Sequence, residues 1–152
     1  MLPIFIMTMF SLLQGFDARA ADVYVPSPVL LAYISHHPEC VVILKDGVFV
    51  HPNSTYYGRT LLHLMADSET IPDKNIYEEL LRAGANPNLQ DYQGRTPLHY
   101  AARHDYWVFY NDLVYGFDLD PNIIHADPEI TDREGKKPMW YYSNRRSPSS
   151  YE

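Results

Sequence analysis

Asp91-Tyr92-Gln93-Gly94-Arg95-Thr96-Pro97-Leu98-His99-Tyr100-Ala101-Ala102 is the stretch on which the reading of this chain turns, because it occurs more than once. Upstream, Gly58-Arg59-Thr60-Leu61-Leu62-His63-Leu64-Met65-Ala66 matches it, and downstream Gly135-Lys136-Lys137-Pro138-Met139-Trp140-Tyr141-Tyr142 is a faded third copy. The glycines lie 36 positions apart (94 − 58) and then 41 (135 − 94). Self-similarity at such a period marks a repeat architecture. Between the first two copies, residues 76–88 read as a short amphipathic helix closed by Gly84, where a left-handed backbone costs little. A second version of that helix follows at residues 109–116.

Together these residues resemble the ankyrin-repeat family, whose pattern runs Asp-x-x-Gly-x-Thr-Pro-Leu-His-x-Ala-Ala, then a second helix ending in Leu-Leu, then Gly-Ala-Asp-x-Asn. Residues 91–102 fit that pattern without a mismatch, and Leu80, Leu81, Gly84, Ala85 and Asn88 precede them at the right spacing. The resemblance covers roughly residues 55–144. It implies a mostly α fold: a short ankyrin-repeat solenoid of about two full repeats plus degenerate terminal repeats. In the family the Thr hydroxyl caps the first helix, the Pro occupies its first turn, and the His bonds to backbone across the turn between repeats. The first copy departs from the pattern with Leu61 for Pro and Thr55 for Asp, and the second carries Asp105-Tyr106 where the family prefers Gly-His. The third lacks the His and any second helix. Periods longer than the family's roughly 33 residues imply insertions, placed at residues 67–73 and 123–131, both rich in Pro, Asp and Glu.

Residues 1–20 read as a signal peptide: an apolar run from Leu2 to Leu13, then Ala18-Arg19-Ala20 at a cleavage-like spacing. The run is too short for a stable membrane span, which takes roughly 20 apolar residues. Residues 21–54 form an N-terminal cap or degenerate repeat. Within it Ser27-Pro28 opens a helix that ends before Pro38, and 41–50, with Lys45-Asp46-Gly47 between β-branched runs, predicts a β-hairpin covering the apolar end of the array. Residues 145–152 are polar and predict a disordered tail.

The chain has 46% hydrophobic and 20% charged residues, a globular profile, and its net charge of −7 comes without a basic stripe, which argues against nucleic acid. Its single cysteine, Cys40, excludes an intramolecular disulfide. Asn53-Ser54-Thr55 is a sequon that makes Asn53 a candidate glycosylation site. His63 and His99 belong to the repeat motif, and His36, His37, His51, His104 and His125 form no zinc-binding helical pair. No nucleophile elbow, phosphate loop or dinucleotide fingerprint is present, so neither catalysis nor a cofactor is expected.

What remains is recognition. In the ankyrin family the partner-contacting positions are the two residues before the motif glycine, the one after it, and the pair after Ala-Ala. Here they are Tyr56, Tyr57 and Arg59 in the first copy, Tyr92, Gln93, Arg95, Arg103 and His104 in the second, and Arg133, Glu134 and Lys136 in the third. Tyrosine and arginine are the types enriched at interface hot spots, and their basic balance on an acidic chain points to a partner protein with an acidic patch. The 13 tyrosines fit either a recognition surface or a packed interior equally well. The function expected is therefore a protein-binding module, exported as an effector and secreted or periplasmic. The alternatives are a cytoplasmic regulator or inhibitor, and a subunit of a larger assembly.

Overall fold

The computed structural model describes residues 28–36, 51–117 and 120–145. The leader, the expected hairpin at 41–50 and the expected tail beyond Arg145 lie outside the described residues. Among these residues six helices follow in order: α1 (Pro28–His36), α2 (Leu61–Ala66), α3 (Lys74–Arg82), α4 (Pro97–His104), α5 (Trp107–Tyr115) and α6 (Pro138–Arg145). Among the described residues there is no strand, only an isolated bridge between Tyr56 and Arg59. No described helix is long and apolar enough to cross a membrane.

The helices form two layers because each of the first two repeats supplies one short inner helix and one outer helix. α2, α4 and α6 lie side by side as the inner layer. α3 and α5 are the outer layer, joined where the Tyr77 ring meets Phe109 edge-on at 4.9 Å and the Tyr77 hydroxyl donates to Asp112 at 2.7 Å. α1 packs on α3 and buries Leu30 and Ile34 completely. Every residue of α2 is buried. A helix of six residues cannot persist alone, since nucleation is unfavourable and few bonds follow it. Its stability comes from neighbours, with each fully buried leucine contributing about 1.5–3 kcal/mol.

One side chain does most to fix how neighbouring repeats sit. The Thr60 amide and hydroxyl lie 3.1 and 2.8 Å from His63 Nδ1, and His63 Nε2 lies 3.0 Å from the Arg95 carbonyl of the next repeat. The second repeat reproduces this with Thr96, His99 and the Lys136 carbonyl, at 3.0, 2.9 and 3.0 Å. An amide can only donate and a carbonyl can only accept, so each ring is a neutral imidazole with its hydrogen on Nε2. Histidine stands at the third helical position, where a glutamate would close a capping box, and also reaches across to the next repeat.

The insertions sit differently from expectation. Residues 67–73 do connect α2 to α3, but they are tied down, with Ser68 buried and its carbonyl accepting the Tyr106 hydroxyl at 2.8 Å. The second insertion is misplaced by the sequence reading. The Ala85 amide donates to Leu80 O at 2.9 Å and the Ala126 amide to Leu113 O at 2.8 Å, so Ala126 and the residues after it are the ordinary repeat turn. The extra residues are 117–124, and even there Ile123 is buried.

Burial outweighs all else at these rings and holds the His63 pKa down to about 4 from its ordinary 6.5, and that of His99 also below its ordinary value. The unfolded chain therefore binds more protons than the folded one once pH falls below about 6.5, and stability drops by up to roughly 1.4 kcal/mol per pH unit per histidine. Asp132 is held below its usual range: burial would raise it, but hydrogen bonds from Tyr141 and the Lys136 and Glu134 amides prevail, so it adds nothing in this window. Urea titrations at pH 8, 6.5 and 5 are expected to show a flat upper interval and a loss of about 2 kcal/mol or more at pH 5. His63→Gln should lower stability throughout and flatten the lower interval.

Candidate functional site

The turns that join repeats are built from aspartate and glycine. Asp91 Oδ1 accepts the Gln93 and Arg95 amides at 2.8 and 2.9 Å, and the Asp91 amide donates to Arg95 O at 2.9 Å. Asp132 holds the Glu134 and Lys136 amides in the same way, both at 2.9 Å. The first turn is one residue shorter. Tyr56 and Arg59 exchange backbone hydrogen bonds of 2.9 and 3.0 Å, so Tyr56 rather than Thr55 takes the aspartate's place. Tyr57 (φ 48°) and Gly58 (φ 75°) are both left-handed, as a two-residue hairpin turn requires.

Each turn is clamped to the next. Asn53 Nδ2 donates to Gly84 O at 3.0 Å and its Oδ1 accepts the Asn86 amide at 2.7 Å. Asn88 does the same to His125 O and the Asp127 amide, at 2.9 and 2.7 Å. The nitrogen of Asn53 that a glycan would occupy is thus part of an inter-repeat clamp. Further out, the Tyr92 ring lies 3.2 Å from where a Cβ on Gly58 would stand, and the Arg133 amide, which donates to Gln93 O at 3.0 Å, lies 2.8 Å from that position on Gly94.

Between the first two turns lies an open groove of about 250 Å³ lined by Tyr57, Arg59, Asp91, Tyr92, Gln93 and Tyr100. Four of these are expected contact residues, drawn from two repeats. Tyr57 and Tyr92 are 68% and 63% exposed. Arg59 crosses the groove: its guanidinium sits 4.8 Å from the Tyr100 ring centre and reaches Asp67 at 2.7 Å. Tyr100 donates to Asp91 Oδ2 at 2.6 Å, and burial, aided by that bond and the carboxylate's charge, pushes its hydroxyl pKa up to about 12. The pattern recurs one repeat on, with Arg95 stacked 5.1 Å from Tyr141, which donates to Asp132.

The remaining expected contacts do not line this groove. Tyr56 is exposed and meets the Tyr57 ring edge-on at 4.5 Å. Arg95 Nη1 donates to Gln93 Oε1 at 2.7 Å. His104 Nε2 lies 3.1 Å from Asp67 Oδ1, and its ring stacks on Tyr106. Arg103, Arg133 and Glu134 are exposed, and Lys136 pairs with Glu134 while lying 4.0 Å from the Trp140 ring centre. Much of the positive charge read from the sequence is therefore matched within the chain. Missed by that reading were Asp67, Asp91, Tyr100, Asp132 and Tyr141. The signal was present: Tyr100 and Tyr141 stand 41 positions apart, like Asp91 and Asp132.

Comparison with known proteins gives one consistent result. The family model for the ankyrin repeat matches residues 57–92 and 93–133, and a second, for ankyrin repeats in many copies, matches 77–108. The chain is similar to rabankyrin-5 of Mus musculus, 34% identical over 106 residues, which is 64% of this chain and 8% of that protein. It is similar to an ankyrin repeat protein of Acanthamoeba polyphaga mimivirus, 34% identical over 65% of this chain and 16% of that protein. It is also similar to the ankyrin and IPT/TIG repeat-containing protein of Schizosaccharomyces pombe, 30% identical over 81% of this chain and 9% of that protein. The chain spans less than a fifth of the length of each.

Two glycines test the stacking of the turns. Gly94 (φ 73°) has the next turn's backbone against it, whereas Gly135 (φ 74°) has nothing within 4 Å of a would-be Cβ. Gly135→Ala should cost only the left-handed backbone penalty, about 1–2 kcal/mol. Gly94→Ala should cost more, because the Arg133 backbone must also move. Equal losses in urea unfolding would contradict the observed docking of the turns.

Proposed function

Because the chain belongs to the ankyrin-repeat family, we propose that it is a protein-binding module whose partner docks on the first two turns and the groove between them. The observation that carries this reading is the pair Tyr57 and Tyr92, two large side chains left more than 60% exposed on hydrogen-bonded turns. Exposed aromatics of this kind bury much area at little conformational cost. The groove's arginine is engaged by Asp67, so the partner is held chiefly through tyrosine, and an acidic patch on it plays the smaller part. That smaller part falls to Arg133, exposed on the next turn.

A second reading, as a subunit of a larger assembly, is favoured by α6. Met139 and Trp140 are 43% and 42% exposed, where their counterparts Leu98 and His99 are 0% and 1%. A terminal repeat ordinarily turns a polar face outward. Under this reading the melting temperature rises with the concentration of the partner subunit.

We further propose that the chain is exported, secreted or periplasmic, as an effector. N-terminal sequencing of protein from the native source is expected to begin at Ala21; an intact Met1 chain confined to the cytoplasm would overturn export without touching the binding reading.

The binding reading is tested by capture from the native source. Tyr57→Ala and Tyr92→Ala should each weaken capture by roughly thirtyfold, a hot-spot loss of about 2 kcal/mol, with thermal stability unchanged for Tyr57→Ala and only slightly lowered for Tyr92→Ala, whose ring also packs on Gly58. Capture that ignores both substitutions but is abolished by Val108→Glu on α5 would place the interface on the outer layer instead.

A further inference from the structure

We propose that the groove between the first two turns recognises an extended, uncharged, proline-bearing peptide segment of its partner. This rests on the protein-binding reading above and names the chemistry of the ligand.

The charges that line the groove are already used. Asp91 accepts two backbone amides on Oδ1 and the Tyr100 hydroxyl on Oδ2. Arg59 is fastened to Asp67 at 2.7 Å and covers the Tyr100 ring. An acidic ligand would have to share Arg59 with Asp67 while lying beside the Asp91 carboxylate, and a basic one would face Arg59. Neither sign of charge finds a complement, which leaves a neutral ligand.

Shape narrows the class. An open groove of about 250 Å³ has room for one or two side chains of a segment laid across the turns. What faces outward is flat and aromatic: the Tyr57 and Tyr92 rings, flanked by Gln93. Gln93 Oε1 already accepts from Arg95, which leaves its Nε2 hydrogens, with the Tyr57 and Tyr92 hydroxyls, as donors toward a ligand carbonyl. Aromatic faces with a few donors suit polyproline II, whose rings stack on them and whose carbonyls have no internal partners. Both rings also have a contact within the chain, Tyr57 edge-on to Tyr56 at 4.5 Å and Tyr92 against Gly58. A preset groove and a preset ligand together reduce the ordering cost of binding.

The probe is blocked octaproline, titrated into the full chain and followed by amide shifts in nitrogen–proton correlation spectra. Octaglutamate and a Gly-Ser octapeptide serve as comparisons. The expected result is a saturable shift of the Gly58, Tyr92, Gln93 and Gly94 amides by octaproline below about 5 mM. It should be unchanged from about 50 to about 500 mM salt and weakened about tenfold or more by Tyr92→Ala. The Gly-Ser peptide should leave these amides unmoved. Silence toward octaproline, or a stronger and salt-sensitive response to octaglutamate, would overturn the inference. If octaproline is silent while Tyr57→Ala still abolishes capture of the native partner, the ligand class is wrong and the binding site stands. If capture is also indifferent, both fall.

Discussion

The bond from the ring of His63 to the carbonyl of Arg95, and its copy from His99 to Lys136, is the constraint on which the rest of the structure hangs. Each inner helix is too short to be stable alone, and each turn has too little core of its own to hold a shape. The histidine solves both problems at once. One nitrogen closes the start of its own helix and the other grips the next turn, so a repeat is finished only when its neighbour is present. The same ring must stay uncharged to do this, since a hydrogen on Nδ1 would oppose the Thr60 amide.

From that link the recognition surface follows without further invention. Gripping the next turn brings Gly58 against Tyr92 and Gly94 against Arg133, and sets Arg59 over Tyr100. Tyr100 then donates to Asp91 while the guanidinium covers the ring and pairs with Asp67, and the most exposed side chains of the groove are tyrosines. The groove is therefore a consequence of stacking. It becomes specific only through the residues at the turn tips, which carry little of the stability.

Much of this was legible in the sequence because the repeat motif fixes backbone geometry locally. Gly94, Thr96, Pro97 and His99 announce turn, helix start and link in one run, and α2 to α6 appear where those words occur. The single-residue deletion in the first turn was not legible, because aligning on Gly58 puts Thr55 opposite Asp91 and only the backbone pairing of Tyr56 with Arg59 reveals the shift. The second insertion was misread for a related reason. His125-Ala126-Asp127-Pro128 is the counterpart of Gly84-Ala85-Asn86-Pro87, but without the glycine it looked like loop. Charge was the hardest to judge: Arg59 and Lys136 counted toward a basic face, whereas Arg59 pairs with Asp67, a residue of no motif prominence, and Lys136 with Glu134 of its own turn.

The central claim is that the turns and their groove, and not the outer helices, meet the partner. Hydrogen exchange of the chain alone and in complex with its native partner addresses that most directly, because it reports position without altering a residue. Slowed exchange confined to the amides of residues 56–59 and 91–95 is the result predicted. Protection centred on α3 and α5, with those turns unchanged, would contradict it.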